Sequence, residues 1–260
     1  ALDDADGLGT LSYQWKADGS DISGATSSTY TLTQAEVGKA ITVAVSYTDG
    51  EGTSESVLSA ASAAVTNTND PVSGAVSITG TTTQGQVLTA DASGLSDPDG
   101  VGAFSYVWKA DGTTISGATG STYTLTQAEV GKTITVTASY TDGGGTVESV
   151  QSSATSAVAN VNDDPTGTVT ITGTVRQDET VTANVSALAD ADGLGTLSYQ
   201  WKADGSDISG ATSSTYTLTQ DEVGKAITVA VSYTDGGGTS ESVLSTATAA
   251  VENVNDNPTG

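Results

Sequence analysis

The chain has 260 residues, 31 of them acidic and seven basic, for a formal net charge of −24. It contains no histidine, cysteine or methionine, which excludes disulfide scaffolds, thiolate metal sites, imidazole-built haem or zinc sites, and Ser-His or Cys-His nucleophile pairs. No basic patch exists to meet nucleic acid or an anionic membrane surface, and no apolar run is long enough to span a bilayer, so cations are the favoured partners.

A period of 93 residues runs through the chain: Trp15, Trp108 and Trp201 obey it, as do all nine tyrosines. The first and third copies align without gaps over 74 positions and differ at ten. A unit this long is a small domain, not a solenoid repeat. The domains are expected at 1–68, 69–161 and 162–254, with 255–260 opening the next linker. In the second copy, 75–79 puts Val76 and Ile78 on one face, and 86–92 does the same with Leu88, Ala90 and Ala92. The stretch 103–109 alternates Phe104, Tyr106 and Trp108, and a short strand is expected near 114–115. Tyr123 and Leu125 lie on a strand at 121–126, a single helical turn follows at 127–131, and 133–140 alternates Ile134, Val136, Ala138 and Tyr140. One long strand is expected over 146–159. Alternation with period two and β-branched residues indicates half-buried antiparallel strands, divided by turns at Asp99-Gly100, Asp111-Gly112 and Asp142-Gly143. About seven strands in such a span make a β-sandwich. Ala1 falls in register with Gly94 and Ala187, so the first copy lacks counterparts of 169–185, its first two strands. A window taken from a longer array accounts for this more simply than strands supplied by another chain, and the missing initiator Met agrees with it.

Trp108-Lys109-Ala110-Asp111-Gly112, Ile115-Ser116-Gly117 and Tyr123-Thr124-Leu125-Thr126 resemble strands C to E of an immunoglobulin-like domain. Gln127 to Lys132 resembles its E–F corner, although Ile134 and Val136 stand where a corner tyrosine and a cysteine are usual. Near-identical tandem copies of this kind resemble the repeat regions of very large, calcium-dependent bacterial surface adhesins. The resemblance implies an all-β chain of tandem immunoglobulin-like sandwiches, about seven antiparallel strands each, arranged end to end.

Three acidic segments recur with the period. Asp-x-Asp-Gly occurs at Asp4 and Asp6, Asp97 and Asp99, and Asp190 and Asp192; Tyr-Thr-Asp-Gly carries Asp49, Asp142 and Asp235. Asn-x-Asn-Asp lies between domains as Asn67, Asn69 and Asp70, then Asn160, Asn162 and Asp163, then Asn253, Asn255 and Asp256. A glutamate sits at each E–F corner: Glu36, Glu129 and Glu222. Singly these are ordinary turn residues. In the sandwich that the resemblance implies, the B–C and F–G loops lie at the pole where the chain enters and the E–F corner at the pole where it leaves. The first junction then gathers Glu36, Asn67, Asn69, Asp70, Asp97, Asp99 and Asp142, and the second gathers Glu129, Asn160, Asn162, Asp163, Asp190, Asp192 and Asp235. Asp4, Asp6 and Asp49 form an unfilled upper half, and Glu222, Asn253, Asn255 and Asp256 an unfilled lower half. Carboxylates so grouped repel one another, and Ca²⁺, which takes six to eight oxygen ligands in flexible geometry, suits them better than octahedral Mg²⁺. The pattern is similar to a cadherin junction, whose Asp-x-Asn-Asp-Asn linker is matched by 253–257 except for Asn253 in place of aspartate. Gln177-Asp178-Glu179 adds candidate ligands at the exit pole of the third copy; the second copy has Gln84-Gly85-Gln86 there, so this loop reads as not general.

The function expected is a spacer of an extracellular or cell-surface adhesin or filament, stiffened by calcium at its junctions. Its partners are adjacent repeats of the same chain and neighbouring copies in a filament. A module that binds glycan, ice or its own kind is the alternative. An enzyme is not expected: the Asp97–Asp99 pair recurs three times on glycine-rich loops, without an aromatic-lined cleft.

Overall fold

A computed structural model describes residues 2–255. The first copy forms β1 (Ser12–Ala17), β2 (Ser20–Asp21), β3 (Ile41–Thr48) and β4 (Ser54–Leu58). The second forms β5 (Ser77–Thr79), β6 (Val87–Asp91), β7 (Ser105–Ala110), β8 (Thr113–Thr114), β9 (Thr122–Thr124), β10 (Ile134–Thr141) and β11 (Val147–Gln151). The third repeats these as β12 (Thr170–Thr172), β13 (Thr180–Asn184), β14 (Ser198–Ala203), β15 (Ser206–Asp207), β16 (Thr215–Thr217), β17 (Ile227–Thr234) and β18 (Ser240–Leu244).

In the third copy a four-stranded antiparallel sheet, β15-β14-β17-β18, faces a three-stranded one, β12-β13-β16. The core between them follows from alternation. Along β17, Ile227, Val229 and Val231 are fully buried and Tyr233 nearly so, while Ser232 and Thr234 between and beyond them are exposed. Val181 from β13, Leu218 after β16 and Trp201 from β14 close on the same core. Each such aliphatic side chain contributes about 1.5–3 kcal/mol relative to exposure. Three strands packed on four, in this order, make an immunoglobulin-like sandwich. The chain is all-β, with this sandwich in tandem. The second copy sets its seven strands at the same places in the period, with β11-β10-β7-β8 as one sheet.

Two segments depart from the sequence expectation. The strand expected over 146–159 ends at Gln151. The chain stays beside β10, but side chains replace backbone acceptors: Val136 N–H donates to Ser152 Oγ (3.1 Å) and Ile134 N–H to Thr155 Oγ1 (3.0 Å). Ser245 and Thr248 repeat this beside β17 at 3.0 Å each. Hydroxyl acceptors satisfy the buried donors while breaking the ladder. The second departure is in the first copy. Residues 27–32 match 213–218 letter for letter, yet 29–31 are not a strand, whereas Thr215–Thr217 is one because β13 pairs with it. Leu32 is 46% exposed where Leu218 is 0% exposed. The same sequence thus makes a strand only where a partner strand is present.

The chain divides into two compact units. One comprises Ala1–Thr79, Thr89–Ser121 and Thr135–Ala154; the other comprises Gly80–Leu88, Thr122–Ile134 and Thr155–Gly260. The division runs through the second copy and leaves each linker whole within one unit.

Candidate metal centre

In the first unit, the Asp97-Pro98-Asp99-Gly100 turn is held by its own side chain. Asp99 N–H donates to Asp97 Oδ1 at 2.9 Å, and Tyr140 OH donates to Asp97 Oδ2 at 2.6 Å. The following β10–β11 turn is tied to it, with Gly143 N–H on the Asp99 carbonyl at 3.0 Å and Thr146 N–H on Asp142 Oδ1 at 2.8 Å. The linker lies on both turns: Asp70 N–H donates to Asp99 Oδ2 at 2.8 Å. Asn67 packs against Gly144, where a Cβ would collide with its amide nitrogen. As a result Asp97, Asp99 and Asp142 are all buried, with one oxygen of each within 4.8 Å of the others. Three acceptors there, Asn67 Oδ1, Asp99 Oδ1 and Asp142 Oδ2, are buried and receive no donor.

The second unit repeats the arrangement. Asp190 accepts from Asp192 N–H (2.8 Å) and Tyr233 OH (2.7 Å), and Asp235 Oδ1 accepts from Thr239 N–H (2.7 Å). Asp192 accepts from the linker's Asp163 N–H at 2.8 Å and from Gln127 Nε2 at 2.9 Å. Asp190, Asp192 and Asp235 again offer oxygens within 4.8 Å of one another. The buried acceptors without donors are Asn160 Oδ1, Gln127 Oε1 and Asp235 Oδ2.

Among the described residues no cation pairs with these groups: the ion pairs reach Asp21, Glu179 and Asp207, all outside the two groups. Two carboxylates at the 4.8 Å limit of the first group repel by about 3–4 kcal/mol at an effective dielectric constant of about 20. A buried acceptor with no donor adds to that cost. Carboxylate and amide oxygens, with no nitrogen or sulfur donor, form a hard donor set that fits Ca²⁺. Asp99, Asp142 and Asn67 would hold it in one group, and Asp235, Asn160 and Gln127 in the other.

The structure does not bring every expected residue into these groups. Asn69 and Asn162 turn to Glu148 and Glu241, donating at 3.1 and 3.0 Å. Glu36, Glu129 and Glu222 close capping boxes on the three 3-10 turns, each Oε2 accepting from the backbone and hydroxyl of Thr33, Thr126 or Thr219. The reason is local: Thr-x-x-Glu satisfies the free N–H groups at the start of a turn. Asp4, Asp6 and Asp49 form no such group among the described residues. Asp4 instead takes Asp6 N–H at 3.0 Å and Tyr47 OH at 2.8 Å. Asp6, Asn253 and Asn255 are exposed, and Asp256 lies outside the described residues.

Sequence reasoning overlooked Gln127, which reaches Asp192 from the corner in place of its neighbour Glu129. It also overlooked the tyrosine of Tyr-Thr-Asp-Gly, which fixes the first aspartate of the Asp-x-Asp turn in each copy. The exit loop has a role that the sequence did not disclose: Gln84 Oε1 accepts from Val161 N–H at 3.1 Å and Gln177 Oε1 from Val254 N–H at 3.2 Å, so in both complete copies it holds the linker.

Hydrogen bonding to Asp4, followed by burial, pushes Tyr47 up to about 12. Burial and then Asp97 or Asp190 raise Tyr140 and Tyr233, and burial with the corner glutamates raises Tyr30, Tyr123 and Tyr216, the last to about 12. In the acid range, the Asp163 N–H holds Asp192 below the usual carboxylate value, with the Asn160 and Gln127 amides adding to it. A raised tyrosine keeps its proton longer when folded, so its contribution to stability is complete below about pH 10 and fades as pH rises through the folded value. An absorbance titration at alkaline pH is expected to show these six tyrosines ionising above 10, with unfolding. Reversible titration of all tyrosines near 10 would refute the buried Tyr–Asp pairs.

Fold and site together define a class: immunoglobulin-like sandwiches in tandem, with polar linkers laid on buried acidic turns. No protein-family model and no curated protein matches the chain. Among solved structures it is similar to a Ca²⁺-stabilized adhesin that helps an Antarctic bacterium reach out and bind ice, at 13% identity over 95% of this chain and 66% of that one, TM-score 0.32. A tetra-tandem repeat in the extending region of a large adhesion protein is similar at 17% identity over 92% and 66%, TM-score 0.31. The tandem Ig repeats of Dlar match at 13% identity over 70% and 91%, TM-score 0.23. The chain therefore spans just under two thirds of the two adhesin structures. Similarity at this level leaves the functional reading to the chain's own residues. No helix among the described residues is long and apolar enough to cross a membrane.

Proposed function

We propose that the chain is a spacer segment of a larger adhesin or filament outside the cell, with calcium binding where each linker meets the next copy. One observation carries this reading: the linkers at 67–70 and 160–163 each lie on three aspartates whose oxygens come within 4.8 Å of one another, with no ion-pair partner among the described residues and with buried acceptors that receive no donor. A solubilising acidic surface has no need to bury its charge. Bound calcium would neutralise these carboxylates and draw linker and turns onto one centre. The chain's own residues supply the rest: Tyr140 and Tyr233 orient the first aspartate, and the Asp70 and Asp163 N–H groups anchor the linker. Two of the three tryptophans, Trp108 and Trp201, are fully buried, so they offer no aromatic platform for sugar, which favours a spacer over a glycan-binding module. The partners are adjacent repeats and, in an assembled filament, neighbouring copies. Small-angle scattering in calcium and in chelator tests the reading. A larger maximum dimension with a narrower distribution is expected in calcium; identical curves would refute it.

A further inference from the structure

The A–B loop at the exit pole of each complete copy grips the linker that leaves that copy. In the second copy, 83–86 closes as a turn: Gln86 N–H donates to the Thr83 carbonyl at 3.1 Å, with Gly85 at φ 78°. The third copy repeats it with Glu179 on Arg176 at 3.1 Å and Asp178 at φ 66°, a left-handed conformation uncommon outside glycine. The turn puts a glutamine at its second position in both. Gln84 N–H donates to the Ala159 carbonyl at 3.0 Å, and Gln177 N–H to that of Glu252 at 2.9 Å. The side chain then reaches two residues further along the linker, to Val161 N–H or Val254 N–H, and Gln84 Nε2 also donates to Asp163 Oδ2 at 2.8 Å. Asp163 is the residue whose own N–H holds Asp192 Oδ2. Between the copies this loop changes at four positions (Thr82 to Val175, Thr83 to Arg176, Gly85 to Asp178 and Gln86 to Glu179), yet the glutamine stays.

We propose that Gln84 is a positioning residue, a cation-independent latch that fixes the linker at Val161 and presents Asp163 to the acidic turn of the next copy, so that the linker is held to its own copy before any ion binds and the ion is left to tie it to the next. Glutamine suits the task because one amide accepts from the Val161 N–H and donates to the carboxylate at once. A glutamate could only accept, and an alanine could do neither. The part of the proposal that concerns ion binding rests on the reading of the junction as a calcium site; the latch itself does not.

The test uses the full chain carrying Asp142→Asn, which weakens the first junction so that the tighter ion binding reports the second. Amide exchange is followed by NMR in chelator, and Tb³⁺ binding by sensitised luminescence. In Gln84→Ala, Val161 exchange is expected to rise at least tenfold while the Val136 amide, held by Ser152, stays protected and shows that the domain is folded. Tb³⁺ affinity is expected to fall several-fold. In Gln84→Glu, Val161 is expected to stay protected, because its acceptor remains. Unchanged Val161 exchange in Gln84→Ala overturns the latch. Lost protection with unchanged Tb³⁺ affinity overturns the positioning role. Absence of Tb³⁺ binding in the Asp142→Asn parent overturns the calcium reading and the positioning role together, while the exchange result still decides the latch.

Discussion

Exchanging calcium for chelator is expected to lower the melting temperature of the chain by roughly 10 °C, and the substitution Asp142→Asn is expected to act with opposite signs in the two media. Ion binding to the folded state alone adds about 2.7 kcal/mol when the free ion is 100 times its dissociation constant. In a unit of this size each kcal/mol moves the transition by a few degrees. The amide that Asp142→Asn introduces would still accept Thr146 N–H through its carbonyl oxygen, as Asp142 Oδ1 does at 2.8 Å. What is lost is one negative charge from a group whose oxygens lie within 4.8 Å. In chelator the parent keeps three buried carboxylates without countercharge, so Asp142→Asn relieves repulsion and raises the first unit's melting temperature. In calcium the same change removes a ligand charge, weakens the site and lowers it. Asp235→Asn should do the same at the second junction. Differential scanning calorimetry of both variants in both media reads the crossing. A variant that destabilises equally with and without calcium would show that Asp142 serves only its turn, and the metal centre would fall.

How far the sequence disclosed this centre depends on the range of each interaction. Period-two alternation located the strands because burial on one face is a local pattern: Ile134, Val136, Ala138 and Tyr140 are all buried, as their spacing requires. The aspartates of the two turns were legible because they recur with the period and the sandwich brings those turns to one pole. The corner glutamates have a local role that was also legible: Thr126-Gln127-Ala128-Glu129 is a capping box, which engages one oxygen of Glu129 within its own turn. Gln127 was not legible, because its role depends on a side chain crossing 65 residues of separation to Asp192. The break in the last strand depends likewise on Ser152 and Thr155 finding N–H groups across the sheet, which no alternation pattern records. The first copy makes the point most directly, since 27–32 and 213–218 share one sequence and differ in structure. Strand identity there resides in the partner.

That contrast yields the second large effect. Trp201→Ala is expected to destabilise the third domain by about 3–5 kcal/mol, and Trp15→Ala, the same change in an identical local sequence, the first by much less. Trp201 is fully buried, donates Nε1–H to the Ser213 carbonyl at 2.8 Å and packs on Tyr216 with ring centroids 6.0 Å apart. Trp15 keeps the equivalent bond to Ser27 at 2.9 Å and the equivalent ring contact at 6.2 Å. It is nonetheless only half-buried, because no strands corresponding to β12 and β13 cover it among the described residues. The polar bond and the aromatic pair are therefore matched between the two sites, and the difference in cost isolates the burial supplied by the second sheet. Since a domain is held by about 5–15 kcal/mol in all, the Trp201 change removes a large share of the stability of the third sandwich. Denaturant unfolding followed by far-ultraviolet circular dichroism measures both. Equal costs for the two tryptophans would mean that the hydrogen bond and the tyrosine contact, not the covering sheet, hold the residue, and the sandwich would have to be credited to its four-stranded sheet alone.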